Sequence, residues 1–127
     1  MAPLKILQVC ALDTTAETML QPLLLALQNA GHDVGIACAD TGASVKLAAK
    51  GFRMHDIPIE RRIDWTSNWR TIREITRILK EDGYDAVHVH TPVAAALGRV
   101  AAKRAGTKHI VYTAHGFYFH EKMGRVT

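Results

Sequence analysis

The chain has 127 residues, of which 48% are hydrophobic and 22% are charged, and its formal net charge is +4. This composition is typical of one globular domain with a hydrophobic core, and no apolar run approaches the ~20 residues that cross a membrane. Both cysteines lie in apolar, strand-like runs, which predicts buried free thiols of a cytoplasmic protein rather than a disulfide or a metal site.

The first elements predicted along the chain are a strand, a helix and a second strand. The run LKILQVC is apolar and β-branched, which is typical of a buried strand. In TAETMLQPLLLALQNAG, the spacing of Thr14 and Glu17 predicts a capping box at the start of a helix. Pro22 lies inside this helix and should kink or divide it. The strand HDVGIACAD follows and should end near Ala39.

The same alternation continues to the end of the chain. SVKLAAKG predicts a short helix, FRMHDIPI a third strand, and a longer helix should run from about Ser67 to Asp82. YDAVHVH is a fourth strand. The next helix should have Thr91 as its N-cap, Pro92 at its first position and a glycine at its end, and TKHIVYTA is a fifth strand. The pattern predicts a doubly wound α/β domain with a mostly parallel sheet in the order 3-2-1-4-5 and helices on both faces.

Ligands of open parallel sheets bind at the carboxyl ends of the strands, near the point where the strand order reverses. Three segments follow strands at this edge and should converge on one crevice. They contain Asp13, Thr14 and Thr15 after the first strand, His90 and Thr91 after the fourth, and His115 and Gly116 after the fifth. The first of these loops has no glycine, which disfavours a tightly bound dinucleotide.

Histidines are the most prominent titratable residues of these segments. His88 and His90 alternate on the fourth strand and share a face of the sheet. His90 should face the crevice, and His88, one step deeper, should be a hydrogen-bonded core residue. Their spacing alone is weak evidence for a metal, so no metal site is predicted. His115 stands next to a glycine, which suits close approach of a substrate, but a loop histidine that bonds its own backbone explains it equally well.

Positive charge is concentrated in IERRIDW and NWRTIREITRILK. Two interpretations stay open for this surface: a solvated face, or a face for anionic lipid headgroups or a phosphorylated substrate. Nucleic acid is not a predicted partner, because no aromatic-basic platform or recognition-helix pattern accompanies the charge. The basic residues concerned are Arg61, Arg62, Arg70, Arg73, Arg77 and Lys80.

Two long segments resemble a known family. VHVHTPVAAALGRVAAKRAGTKHIVYTAHGFYFH resembles the N-terminal half of family-4 glycosyltransferases of the GT-B fold, and LKILQVCALDTTAETMLQPLLLALQNAGHDVGIAC is similar to the opening of those proteins. The elements HxHTP and TAHGF together resemble enzymes of capsule and polysaccharide biosynthesis. The resemblance implies retaining transfer of a sugar from a nucleotide-sugar to a glycan or lipid-linked acceptor. It implies no metal ion and no cofactor, with the acceptor held by the first domain and the donor by a second.

The resemblance also implies roles for individual residues. His115 would be catalytic, through a hydrogen bond to the reacting sugar rather than as a conventional general base. The loop of Arg61 and Arg62, with the helix after it, resembles the surface that meets a lipid-linked acceptor, which implies a cytoplasmic protein at the inner face of the plasma membrane. The residues that would border the acceptor are Asp13, Thr14, Thr15, His90, Thr91, Gly116 and Phe117.

The chain departs from the family in two places. Asp13, Thr14 and Thr15 stand where many members have a glycine-rich loop, and no donor motif of the Glu-x7-Glu type follows. Residues 1–127 are therefore expected to be one truncated Rossmann-like domain, with little activity unless a donor-binding domain or subunit joins it. The edge of the fifth strand should be exposed, which favours pairing with another copy or a partner. The alternatives are a recruiting or scaffold subunit of a split glycosyltransferase, and a stand-alone flavodoxin-like or nucleotide-sugar-modifying protein.

Overall fold

A computed structural model describes residues 3–18, 20–57, 59, 65–90 and 92–113 of the chain. Strands and helices alternate through these residues, as the sequence predicted. In chain order they are β1 (Lys5–Leu12), α1 (Asp13–Thr18), α2 (Gln21–Asn29), β2 (Asp33–Ala39), α3 (Ser44–Ala49), β3 (Arg53–Asp56), α4 (Trp65–Glu81), β4 (Ala86–His90), α5 (Pro92–Ala105) and β5 (His109–Thr113).

The five strands form one parallel sheet in the order β3-β2-β1-β4-β5, which confirms the predicted fold class and strand order. β1 lies at the centre, where Leu7 is in register with Gly35 of β2 on one side and Val87 of β4 on the other. The strand order reverses between β1 and β4. This reversal is the point at which a doubly wound sheet opens a crevice at its carboxyl edge.

Each face of the sheet carries its own hydrophobic core. Alternate residues of the central strands point to opposite faces, so an apolar run such as KILQVC supplies both cores at once. On the face covered by α4 and α5, the core includes Leu7, Val9, Ile75, Val87 and Val89. On the face covered by α1, α2 and α3, it includes Cys10, Leu24, Ile36, Cys38 and Leu47.

Helix α5 packs close to the sheet because most of the residues on its buried side are small. Ala94, Ala101 and Ala102 are fully buried. A Cβ atom built on Gly98 would lie 2.5 Å from Cγ1 of Val89, so the helix axis sits at a distance that only glycine allows.

Several element boundaries differ from the prediction. The first predicted helix is divided into α1 and α2, and Pro22 lies in the first turn of α2. Backbone N–H groups in a first turn make no hydrogen bond within the helix, so a proline is tolerated there. The prediction of Thr14 as an N-cap is wrong, because α1 begins at Asp13 and contains Thr14 in its first turn. The third strand is shorter than predicted and ends at Asp56, and α4 begins at Trp65 rather than near Ser67.

The predictions for the first and last residues of α5 and for the thiols are confirmed, and the predicted N-cap Thr91 lies outside the described residues. α5 begins at Pro92, and Gly106 follows its last residue with a φ of 76°, a left-handed conformation that favours glycine. Cys10 and Cys38 are free and buried. Within the described part of the chain, no helix is long and apolar enough to cross a membrane.

Candidate functional site

The candidate site lies at the carboxyl edge of the sheet, where three strands end side by side. β1 ends at Leu12, β4 at His90 and β5 at Thr113, and these three strands are neighbours in the sheet. The first turn of α1, which holds Asp13, Thr14 and Thr15, therefore comes to the same edge as the β4–α5 connection. The strand ends therefore lie where the sequence predicted them, and the predicted segment after β5 lies outside the described residues.

The structure describes only part of the predicted site. Thr14 is exposed at the start of α1, and its carbonyl oxygen accepts a 2.7 Å hydrogen bond from the hydroxyl of Thr18. The backbones of Asp13 and Thr15 belong to the same helix. The other predicted residues of the crevice and of the basic loop lie outside the described residues: Thr91, His115, Gly116, Phe117, Arg61 and Arg62.

His90 is fully buried at the end of β4. Its Nε2 atom lies 2.6 Å from Oε1 of Gln8, which is itself fully buried on β1. An amide oxygen can only accept a hydrogen bond, so Nε2 of His90 carries the proton that it donates. This bond fixes the orientation of the imidazole and links the two central strands directly below the candidate crevice.

The predicted burial of the two histidines of β4 is reversed in the structure. His88, expected in the core, is partly exposed, whereas His90, expected to face the crevice, is buried. The rings are neighbours, with centroids 4.1 Å apart. The two rings differ in what surrounds them. His88 lines a groove beside α2 that is open to solvent, whereas His90 forms a hydrogen bond with Gln8 in the interior.

Gln8 is the residue that the sequence analysis missed. Its Nε2 atom is buried and has no acceptor among the residues that the structure describes. The sequence does contain a signal for it, because Gln8 is the one amide side chain within the apolar run KILQVC. A polar group in a buried strand needs hydrogen-bond partners, so such a residue indicates a polar contact in the core. Elsewhere in the described residues, no group of three His, Cys, Asp or Glu side chains could hold a metal ion.

A second candidate surface lies on the outer side of α4 and α5, and we call it the basic helical face. Its residues are Trp69, Arg70, Arg73, Arg99, Lys103 and Arg104. The Trp69 side chain is 47% exposed, and the guanidinium of Arg104 lies 4.8 Å from the centre of its ring. A groove of about 540 Å³ is lined by Trp69, Arg70, Arg73 and Glu74, among others, and a second groove of about 390 Å³ lies between α5 and β5, lined by Arg99, Lys103, Ile110 and Tyr112.

Two acidic residues of α4 pair with Arg77 beside this face. Arg77 donates hydrogen bonds to Glu74 and Glu81 along α4, the latter at 3.0 Å. The hydrogen bond from Arg77 lowers the pKa of the Glu74 carboxyl. At neutral pH, Glu74 is therefore a carboxylate that is paired with Arg77. Arg70 and Arg73 form no ion pair with another described residue, and exposed guanidinium groups of this kind are suited to binding phosphate.

The family model described as glycosyl transferase 4-like matches residues 8–125. The chain belongs to this family. The matched range contains all five strands except the first residues of β1, and it includes the edge where Asp13 and His90 stand. The resemblance drawn from the HxHTP and TAHGF elements is therefore confirmed at the level of the family.

Three relatives illustrate the likeness of this glycosyl transferase 4-like chain. The Escherichia coli protein named UDP-Gal:alpha-D-GlcNAc-diphosphoundecaprenol alpha-1,3-galactosyltransferase is 29% identical over 116 residues, covering 82% of this chain and 30% of the relative. A glycosyltransferase structure from Rickettsia africae has a TM-score of 0.76 at 18% identity, covering 93% of this chain and 31% of the other. Acinetobacter baumannii MurG has a TM-score of 0.66 at 20% identity, covering 87% and 35%. The two structures show a shared fold, and the chain spans about a third of the length of these relatives.

A third polar cluster of the glycosyl transferase 4-like chain lies away from the carboxyl edge. Nε2 of His55 on β3 is 2.9 Å from the hydroxyl of Tyr84 and 3.6 Å from the carboxylate of Asp82. Tyr84 precedes β4, and a Cβ atom on Gly35 would clash with its hydroxyl. Burial raises the pKa of Tyr84 and lowers the pKa of His55, although Asp82 opposes the shift of His55. This cluster ties the edge strand β3 to the centre of the sheet.

Proposed function

We propose that the chain is the acceptor-binding part of a retaining glycosyltransferase, which moves a hexosyl group from a nucleotide-sugar to a lipid-linked or glycan acceptor. One observation carries the proposal: the family match over residues 8–125 includes the sheet edge where β1, β4 and β5 end side by side. The name of the E. coli relative describes galactosyl transfer to a diphosphoundecaprenol-linked sugar, which supports a lipid-linked acceptor for this chain as well.

The proposed reaction takes place at the carboxyl edge of the sheet. An acceptor hydroxyl forms a bond to the anomeric carbon while the bond from that carbon to the nucleotide phosphate breaks on the same face of the sugar. The leaving phosphate oxygen takes the hydroxyl proton, so the protein needs no metal ion and no separate base. His115, two residues after β5, hydrogen-bonds the sugar and stabilises its charge as it develops.

Other residues of the edge bind the acceptor in this proposal. Asp13, Thr14 and Thr15 offer a carboxylate and hydroxyls from the first turn of α1. Thr91, Gly116 and Phe117 border the acceptor from the connections after β4 and β5. Because the imidazole of His90 is buried against Gln8, we assign it the role of holding the β4–α5 connection beneath the acceptor.

The donor site belongs, in this proposal, to the polypeptide that makes up the other two-thirds of the relatives' length. The chain alone then holds an acceptor but transfers little, because catalysis requires both substrates in one geometry. The basic helical face fits a location on the cytoplasmic side of the plasma membrane. That face also favours the second candidate, a non-catalytic subunit that recruits a lipid-linked acceptor to a separate catalytic chain.

Calorimetric titration of the 127-residue chain tests the acceptor-binding role. The expected result is binding of a GlcNAc-diphosphate lipid with a short, water-soluble chain, and binding of UDP and GDP that is weaker by at least about tenfold. Tight nucleotide binding by this chain alone would contradict the proposal. In the catalytically complete enzyme, His115→Ala should reduce kcat strongly; unchanged turnover would remove His115 from the mechanism, and a recruiting subunit would tolerate the change.

A further inference from the structure

The two central strands of the sheet separate where the candidate crevice opens. β1 continues to Leu12 and β4 to His90, but within the described strands the backbone register that joins them ends at Val9 and Val89. The register of β1 with β2 is irregular over the same stretch, between Val9 and Leu12. The last residues of β1 are therefore held less regularly than its centre, at the edge where a doubly wound sheet binds its ligands.

One side-chain contact crosses this separation. Oε1 of Gln8 on β1 lies 2.6 Å from Nε2 of His90, the last residue of β4, and both side chains are fully buried. His90 is in register with Thr113, the last residue of β5, so it stays joined to that neighbouring strand. The contact thus connects β1 to the ends of β4 and β5, from which two of the predicted acceptor-binding segments leave.

Stability alone does not explain an amide at this position. Gln8 lies in an apolar run, and its Nε2 atom has no acceptor among the residues that the structure describes. A buried donor without an acceptor costs stability, and an apolar pair of the same shape can be as stable as a hydrogen-bonded pair. The apolar pair lacks direction, because a hydrogen bond restricts both the distance and the angle between its partners and hydrophobic contact does not.

We propose that Gln8 is a positioning residue of the acceptor site, which acts through His90 to set the distance between the two sides of the crevice. One side is the first turn of α1, which follows β1 and begins at Asp13. The other side consists of the connections that follow β4 and β5. The inference rests on the proposed acceptor-binding function. An acceptor held from both sides is sensitive to this distance, because a misplacement of about 1 Å can cost about a hundredfold in rate.

Two variants separate positioning from stability. Gln8→Met leaves the Nε2–H group of His90 buried without its acceptor, so the urea midpoint should fall. Gln8→Met combined with His90→Phe replaces both partners by apolar side chains of similar shape, so the midpoint should return to that of the parent chain. A role in stability alone predicts that acceptor binding returns with the midpoint, whereas positioning predicts that it does not.

Calorimetric titration of the 127-residue chain with the short-chain GlcNAc-diphosphate lipid measures the difference. Binding should weaken by at least about tenfold in Gln8→Met and stay weak in the double variant. Gln8→Glu keeps an oxygen that accepts the hydrogen bond of His90, so its affinity should stay close to that of the parent. Tyr84→Phe is the matched control, because it removes a hydroxyl 2.9 Å from Nε2 of His55 in a polar contact away from the carboxyl edge. Its affinity should not change.

The outcomes separate this inference from the proposed function. A double variant that is as stable as the parent and binds the acceptor equally well overturns the inference and leaves the proposed function in place. A loss in Tyr84→Phe or in Gln8→Glu as large as that in Gln8→Met also overturns it, because the loss would then not depend on the hydrogen bond to His90. A parent chain that does not bind the acceptor counts against the proposed function, and the inference is then decided without a ligand.

Amide hydrogen exchange makes that decision. If the contact fixes the crevice, the amides of Leu12 and Thr113, which end β1 and β5, should exchange at least severalfold faster in the double variant than in the parent. The amide of Ile36, within β2, should exchange at an unchanged rate, because the overall stability is the same. Equal exchange rates at the strand ends would overturn the inference even in a chain that binds the acceptor.

Discussion

At the scale of single residues, the approach of α5 to β4 depends on Gly98. Gly98→Ala would place a methyl group 2.5 Å from Cγ1 of Val89, a fully buried side chain that cannot move away. Alanine is a better helix former than glycine by about 1 kcal/mol, so a net loss of stability can only come from overpacking. We expect a loss of about 1–3 kcal/mol, measured as a lower urea midpoint with an unchanged m-value.

The matched control is a second substitution at the point of contact. Val89→Ala removes the methyl groups that Gly98→Ala would strike, so the double variant should lose less stability than the sum of the two single changes. Strict additivity would show that α5 relaxes without touching Val89.

His55 gives a pH dependence at the same scale. Burial lowers the pKa of its imidazole from the ordinary 6.5, only partly opposed by Asp82. The unfolded chain therefore binds more protons than the folded chain between the two pKa values. The free energy of unfolding therefore rises with pH through that window, and the contribution of His55 reaches its full value above a pH of about 6.5. Acidification below this pH destabilises the fold.

The measurement is the urea midpoint at pH 7.5 and pH 5.5. His55→Gln keeps a polar partner for Tyr84 but cannot titrate, so its midpoint should fall less on acidification than that of the parent chain. His109→Gln, on the exposed side of β5, serves as the control and should keep the parent's pH dependence. An unchanged pH dependence in His55→Gln would exclude His55 as its source.

At the scale of elements, the proposed contact with an anionic membrane depends on the basic helical face of α4 and α5. Each arginine near an anionic bilayer contributes about 1 kcal/mol, so Arg70→Gln with Arg73→Gln should weaken binding to phosphatidylglycerol vesicles about thirtyfold. Lys46→Gln with Lys50→Gln removes the same charge from α3 on the other side of the sheet. Vesicle co-sedimentation at low and high salt measures both pairs.

The two double variants differ in location and not in net charge. Equal losses for both would show that binding follows the overall charge of the chain, and the basic helical face would then have no special role. Binding that does not weaken with salt would also contradict an electrostatic contact, because exposed charges are screened over about 10 Å at 0.1 M salt.

Elements were more predictable from the sequence than the site. The alternation of apolar runs with helical segments, and helix-ending glycines such as Gly31 and Gly106, were sufficient for the order 3-2-1-4-5. The reversed burial of His88 and His90 was not predictable in this way. Both point to the same face, and which of them is buried depends on the tertiary packing over that face, which strand periodicity does not encode.

Gln8 illustrates the same limit. A single amide within KILQVC does not disturb the apolar pattern of a strand, so the run was interpreted by its apolar residues alone. Its partner His90 is 82 residues away along the chain, and only the pairing of β1 with β4 brings the two together. Local signals determine elements, whereas contacts between distant residues determine the site.

At the scale of the whole molecule, the two thiols report whether the domain unfolds as one unit. Cys10 on β1 and Cys38 on β2 belong to the same core, beneath α1, α2 and α3. Both are free and almost completely buried, so a thiol reagent can reach them only when these layers open. In native buffer we expect both to be unreactive, and in urea their modification should follow the loss of helical circular dichroism, as for a small two-state domain.

Mass spectrometry of partly modified samples should show molecules with both thiols modified or neither, since the strands that carry them are paired and separate together. A population modified at Cys38 alone would instead show that β2 and β3 open before the centre of the sheet, and the two halves of the doubly wound fold would then be separate cooperative units.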